Sequence, residues 1–284
     1  MKKILFIALL SLVSLSAFSQ QTNKKGSYYI TWGYNRSSYA NSDIRFVGPG
    51  YDFTLLDAQA LDAPTPLSEF KTYVDPGLLS IPQFNFHAGY FIKDNLSISI
   101  GWDHMKYVVT DGQTVKVNGF ISSKVSTPEI DVHSDYVSPI GNFNQTPLVL
   151  DPNKFVHLEH TDGYNYASIE LEHYNPVYQS SKSRFAIDWM QGVGIGALVP
   201  RSDVHVFGVG QNNFWNLAGG GASLKTGLKF NFSKLLFFET TVKTGATKLW
   251  DIHTTGRSVD HAEQSIYFLE FYGALGFTIK GSSK

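Results

Sequence analysis

Residues 221–249 read GASLKTGLKFNFSKLLFFETTVKTGATKL, and every second position from Ala222 is apolar or nearly so: Ala222, Leu224, Thr226, Leu228, Phe230 and Phe232. The intervening set is Gly221, Ser223, Lys225, Gly227, Lys229 and Asn231. After Ser233-Lys234 the alternation resumes, with Leu236, Phe238, Thr240 and Val242 opposed by Glu239, Thr241 and Lys243. Side chains of a strand alternate faces with period two, so this is a hairpin of two amphipathic strands. Each runs roughly 12 to 15 residues, against about 5 to 6 for strands of soluble domains and about 9 to 11 for a tilted membrane-spanning strand. The apolar face therefore predicts contact with lipid. The opposite face mixes Lys, Glu, Ser, Asn and Gly, which suits a narrow barrel interior in which opposite charges pair.

The same pattern recurs along the chain. Ser27–Ser38 alternates Tyr28, Ile30, Trp32, Tyr34 with Tyr29, Thr31, Gly33, Asn35. Pro82–Ile92 and Leu96–Val109 flank the tight turn Lys93-Asp94-Asn95, with Asn85, His87, Ser97, Ser99 and Asp103 inward. Asp162–Tyr174 turns Tyr164, Tyr166, Ser168, Glu170 and Glu172 inward, and Arg184–Val199 turns Arg184 and Asp188 inward. The last strand, Gln264–Ile279, shows Tyr267, Leu269, Phe271, Leu275 and Phe277 outward and Glu270 inward.

Eight strands result, joined by connections that alternate long and short, as in outer-membrane barrels with short periplasmic turns and long extracellular loops. The long connections are 39–81, 110–161, 200–215 and 250–262. The first carries a small hairpin about Gly48-Pro49-Gly50, the second contains strand-like residues from Thr114 to Val125, and two of the four are long enough to form a folded cap. The fold class predicted is an all-β, eight-stranded, antiparallel up-and-down transmembrane barrel.

The ends and the composition agree. Lys2-Lys3, the apolar run Ile4–Leu15 and Ala17-Phe18-Ser19 before Gln20 read as a secretory signal peptide, residues 1–19, leaving 20–284 as the barrel domain of a chain exported to the bacterial outer membrane. No later segment has about 18 consecutive apolar residues, so a helical span is not expected. With no cysteine, lipid acylation, disulfides and thiol chemistry are excluded. The 23 Lys plus Arg become 21 without Lys2 and Lys3, against 24 Asp plus Glu, which gives no reason to expect nucleic acid. High aromatic content (15 Tyr, 21 Phe) with slightly negative mean hydropathy fits a barrel with aromatic girdles and a polar interior.

An eight-stranded barrel is filled by side chains. Asp103, Glu170, Glu172, Asp188, Glu239 and Glu270 face Arg184, Lys225, Lys229 and Lys243, and these read first as paired structural charges. Glu170 and Glu172 have the residue type for acid/base work, but no nucleophile accompanies them. Seven histidines (His104, His133, His157, His160, His205, His253, His261) map to the outer loops or outer strand ends. Glu159 and Asp162 flank His157-x-x-His160, and Asp43, Asp203 and Asp251 lie on neighbouring loops. Imidazole with carboxylate suits a divalent first-row metal, and His157 and His160 are the candidate ligands; no other cofactor is implied. His133-Ser134-Asp135 has hydrolase residue types, yet adjacent residues of an extended chain point apart. The glycines of Gly192–Gly196, inside a strand, read as room for bulky lumen neighbours.

The layout resembles the small outer-membrane barrels of the OmpA, OmpX and OmpW type and the opacity-like proteins. Four stretches are similar to the outer-membrane lipid A oxidases: Asn41-Ser42-Asp43-Ile44 with Gly50-Tyr51-Asp52-Phe53; Gly101-Trp102-Asp103-His104-Met105-Lys106; His160-Thr161-Asp162-Gly163-Tyr164-Asn165; and Gly192 to Pro200. That resemblance implies oxidation of lipid A by oxygen with a metal, with Asp43, His104, Lys106 and Asp162 as the catalytic positions. The leading expectation is a non-enzymatic surface barrel whose loops contact lipopolysaccharide, a partner protein or a ligand. A rim enzyme acting on lipid A is the alternative, and a porin-like transporter of small hydrophobic molecules is third.

Overall fold

The computed structural model describes residues 23–123, 125, 139–181 and 185–279. Eight strands close the barrel: β1 (Tyr28–Tyr39), β5 (Phe84–Lys93), β6 (Leu96–Val109), β9 (Val156–Gln179), β10 (Ala186–Leu198), β13 (Gly219–Asn231), β14 (Leu236–His253) and β15 (His261–Ile279). They pair in that order, all antiparallel, and twelve register pairs from Tyr28↔Ile279 to Tyr39↔Phe268 join β15 back to β1. The ring has no free edge, so every strand's main-chain groups are satisfied inside hydrocarbon. The predicted fold class stands, as do the inward and outward faces of each strand. The segment 1–19, Arg184 and His133-Ser134-Asp135 lie outside the described residues.

The wall is apolar outside. Ile30, Ile100, Ile195, Leu224, Phe271 and Phe277 are all exposed, as only lipid-facing residues of this size should be. Hydroxyls on this face turn to protein atoms: Thr226 donates to the Met190 carbonyl (3.1 Å) and Thr244 to that of Phe268 (2.9 Å). Inside, the layers are polar. Lys225 Nζ donates to Glu170 (2.5 Å) and to Glu172, and Lys243 Nζ to Glu170 (2.5 Å) and to Asp103. His87 Nε2 lies 3.0 Å from Asp103 Oδ1. Below them Lys229 donates to Asn23 (2.9 Å) and sits 4.0 Å from the centroid of the Phe237 ring, within an aromatic layer of Tyr29, Phe91, Tyr174 and Phe237. All these charges are buried, so the lumen is filled rather than open.

Room for this packing comes from glycine. A Cβ on Gly192 would lie 3.0 Å from Lys225 Cε, and one on Gly194 3.1 Å from Glu170 Cγ. Across the barrel, on β5 and β15, a Cβ at Gly89 or Gly276 would enter the rings of Tyr29 or Phe237.

The outer connections form the expected folded cap, and they are more regular than the sequence suggests. The hairpin about Gly48-Pro49-Gly50 and the strand-like stretch from Thr114 are strands as read, 200–215 is largely strand rather than loop, and 250–262 is strand at both its ends. β9 runs 24 residues, β14 18 and β15 19, well beyond the 9 to 11 or so that cross a membrane. The projecting end of β15 continues into a sheet of β2 (Ser42–Gly48), β3 (Tyr51–Ala58), β7 (Thr114–Ile121) and β8 (Gly141–Val149). The projecting end of β9 pairs with β11 (Arg201–Val206), which pairs with β12 (Val209–Trp215). A two-residue β4 (Ala60–Leu61) joins β6, and α1 (Phe70–Val74) is a single exposed helical turn. An apolar core including Ile44, Phe46, Phe53, Phe155, Leu158, Val204 and Phe207 fills the space between the two extensions, with Phe53 5.3 Å from Phe155 and Tyr51 5.4 Å from Phe207, centroid to centroid. The long connections thus form a folded cap because they carry their own hydrophobic core.

The charge chain yields a stability test. Lys243→Met leaves buried Asp103 without its lysine and Glu170 with Lys225 alone, and removing one member of such a set costs about 3 to 5 kcal/mol. Urea unfolding in detergent micelles, followed by the loss of the compact band on unheated gels, should show that loss. A change under 1 kcal/mol, roughly the worth of a surface pair, would contradict the assignment.

Candidate functional site at the outer rim

The residues singled out in the sequence gather where the barrel wall passes into the cap. Between β6 and β9 the register breaks: Met105 pairs with Tyr164 but Tyr107 pairs with His160, so Thr161-Asp162-Gly163 bulge opposite Lys106. Gly163 takes φ +141°, and a Cβ there would lie 2.3 Å from the Asn165 amide, so only glycine fits. The bulge aims Asn165 along the wall. Its Nδ2 donates to the Val199 carbonyl (3.0 Å), leaving Oδ1 to accept from His104 Nδ1 (2.7 Å). The His104 ring stacks on Phe84 (5.1 Å), which stacks on Trp32 (4.6 Å). Lys106 and Asp162 both lie within electrostatic range of His104.

Asp43 is elsewhere. It is exposed on β2, its Oδ1 accepts the Asp57 N–H (2.9 Å), and it lines a polar cleft with Arg45, Lys248, Glu263 and Tyr267. Around the ring β15, which carries β2, is three strands from β6. At about 4.8 Å per strand that separation is on the order of 14 Å. The structure brings His104, Lys106 and Asp162 together and leaves Asp43 apart.

The two candidate metal ligands also part, because positions 157 and 160 differ in parity on one strand. His157 lies on the cap surface. His160 is fully buried, stacked on Tyr164 (6.0 Å), with Nδ1 2.8 Å from Ser202 Oγ. Burial alone pushes its imidazole down to about 3. Nearby burial raises the Tyr107 phenol to about 12, and its oxygen accepts from Gln264 Nε2 (2.5 Å). Neither group titrates usefully near neutrality. The lumen holds another set of ligand-type side chains, His87, Glu170 and Glu172, but its carboxylates are already engaged by Lys225 and Lys243.

Sequence reading missed a feature of the outer wall. Outward-facing Ala167, Ala197 and Gly220 form the floor of a groove of about 830 Å³, with Phe86, Ile100, Trp102, Ile195, Leu217 and Trp250 around it. It lies near the outer end of the apolar belt. Just past its rim, where β10 and β13 hand over to β11 and β12, Arg201 pairs with Trp215, the guanidinium carbon 5.9 Å from the ring centroid. Small residues at three outward positions were the available signal.

No protein-family model matches the chain, and no curated protein does. Among solved structures the chain is similar to the outer membrane protein OprG from Pseudomonas aeruginosa, at 9% identity over 91% of this chain and 98% of that one, TM-score 0.41. It is similar to the attachment invasion locus protein Ail of Yersinia pestis, at 10% identity over 90% and 99%, TM-score 0.31. Neisserial surface protein A is similar at 8% identity over 90% and 97%, TM-score 0.35. The closed eight-strand ring, apolar belt and short turns of this chain are themselves the architecture of a small outer-membrane β-barrel.

Buried His160 makes the cap acid-sensitive. The folded value of about 3 lies below the ordinary 6.5, so the unfolded chain takes up a proton that the folded chain refuses, and stability falls as pH drops from about 6.5 toward 3. His160→Gln removes the titration. The difference in unfolding free energy between wild type and this variant should move against the wild type by up to about 1.4 kcal/mol per pH unit across that window. A pH-independent difference would refute this.

Proposed function

We propose that this protein is a non-enzymatic, non-conducting surface barrel of the outer membrane, exported through residues 1–19, that holds a lipopolysaccharide molecule against its outer wall and carries the cap above it. The observation that supports this reading most directly is the wall groove. Its floor of Ala167, Ala197 and Gly220 recedes from the belt, while Trp102, Ile195, Leu217 and Trp250 supply apolar sides long enough to take acyl chains. Arg201 and Trp215 sit one step beyond its outer rim. A guanidinium at headgroup level is the donor of choice for a phosphate, and tryptophan favours the membrane interface.

The competing readings have less support. Transport through the lumen would require moving Lys225, Lys243 and the carboxylates that bind them. An oxidase-like enzyme at the rim needs Asp43 beside His104, Lys106 and Asp162, whereas Asp43 lies in the cleft with Arg45 and Lys248. His104 is also engaged as a hydrogen-bonded ring in an aromatic stack.

The test is retention of lipopolysaccharide through purification and transfer to phosphatidylcholine nanodiscs, with phosphate and 3-hydroxy fatty acid counted per chain. One molecule per chain is expected. Ala197→Trp fills the groove and should weaken retention about tenfold, equivalent to about 1.4 kcal/mol. Leu275→Trp, on the lipid face at the opposite end of the wall, should change nothing. Equal loss in both variants, or no lipopolysaccharide on the wild type, would overturn the proposal.

A further inference from the structure

We propose that His157, Glu159 and Asp203 form a divalent transition-metal site on the cap surface, with Asp111 orienting the histidine and His205 beside it. The site follows from strand register. β9 and β11 place His157 opposite His205 and Glu159 opposite Asp203. Residues two apart on a strand share a face, so two imidazoles and two carboxylates make a square array on one side of the ribbon. One donor atom from each of His157, Glu159 and Asp203 lies within 4.8 Å of the others. Ligands about 2.0 to 2.2 Å from one ion are at most about 4.4 Å apart, so small side-chain rotations complete the set.

A second observation points the same way. Both oxygens of the Asp111 carboxylate approach His157 Nδ1, at 3.0 and 3.2 Å. With the proton on Nδ1 donated to Asp111, Nε2 keeps its lone pair and faces Glu159, 3.8 Å from Oε2. A carboxylate behind a histidine in this way fixes the tautomer and raises the basicity of a metal ligand. Glu159 is likewise oriented: Oε1 accepts from the Thr161 hydroxyl (2.6 Å), leaving Oε2 toward the histidine. Asp203 Oδ1 lies 3.0 Å from His205 Nε2. The side chains of His157, Glu159 and Asp203 are 16, 23 and 23% exposed, accessible to an ion from outside yet held in place.

The donor set selects the metal. Mixed imidazole and carboxylate ligation suits Zn(II) and its first-row neighbours, whereas Ca(II) and Mg(II) prefer oxygen alone. Since β9 belongs to the barrel and β11 only to the cap, a bound ion would clamp the hairpin of β11 and β12 to the rigid wall. An ion that binds the folded chain alone stabilises it by mass action.

The test uses the whole protein in detergent, stripped with a chelator, and Zn(II) as the probe in calorimetric titration. One ion per chain is expected. His157→Gln and Asp203→Asn should each weaken binding at least tenfold, and Asp111→Asn by about 10- to 100-fold, as for an outer-shell carboxylate. His261→Gln, on β15, should leave it unchanged. Folding of each variant is checked by its gel shift on heating. Should the variants not fold, protection of His157 from diethylpyrocarbonate in the wild type reads the same site. Absence of saturable Zn(II) binding, binding unaffected by a folded His157→Gln or Asp203→Asn variant, or full labelling of His157 in saturating Zn(II) would overturn the inference.

Discussion

The rest of the molecule depends on a chain of buried charges across the barrel lumen. Lys243 on β14 reaches Asp103 on β6 and Glu170 on β9, and Lys225 on β13 reaches Glu170 and Glu172. β14 and β6 stand on opposite sides of the ring, four strands apart in either direction. The ion pairs therefore tie facing walls together, as neighbouring strands cannot do by main-chain bonding alone. Their desolvation is offset only because each lysine meets two carboxylates, with further hydrogen bonds from Ser97, Ser99 and Ser168.

That constraint is why the proposed function lies on the outside. A lumen so filled offers no path for a solute, and the inward glycines of β10 serve its packing. What remains is the outer wall and the cap. The wall carries its groove because small residues meet at outward positions of β9, β10 and the loop-proximal end of β13. The cap is folded because β9 and β15, the latter with β14 beside it, extend past the membrane and become the first strands of two smaller sheets, which share one apolar core.

The same extension explains the separation of chemistries at the rim. The bulge at Thr161-Asp162-Gly163 divides β9 into a membrane segment and a cap segment. Before it, His157 and Glu159 face the surface and His160 faces the cap core. After it, Asn165 faces the outer wall and locks His104. One strand thus supplies a surface cluster, a buried neutral imidazole and the amide that holds the His104 ring of β6, according to parity and to the two residues inserted between them.

Alternation alone carried the eight barrel strands, their faces, the hairpin at Gly48-Pro49-Gly50 and, among the lumen charges, the pairing of Lys225 and Lys243 with Asp103, Glu170 and Glu172, whereas Lys229 and Glu270 turn instead to the amides of Asn23 and Asn85. Period-two patterning is local, and a wall with lipid on one side and packed polar groups on the other imposes it on every strand. The 24-residue length of β9 was not legible, because His160 puts a polar residue on the buried face just where Val156 and Leu158 had begun the pattern. The hairpin of β11 and β12 was hidden because Val204 and Val206 are buried beside strand neighbours whose polarity reads as loop. Asp43 shares a sequence flavour with His104 and Asp162 but not a place, and Asp111 reaches His157 from 46 residues away. Which residues meet was decided by the stagger of strands and the course of the cap, since contact between distant segments depends on register and closure, neither of which a single strand's pattern contains.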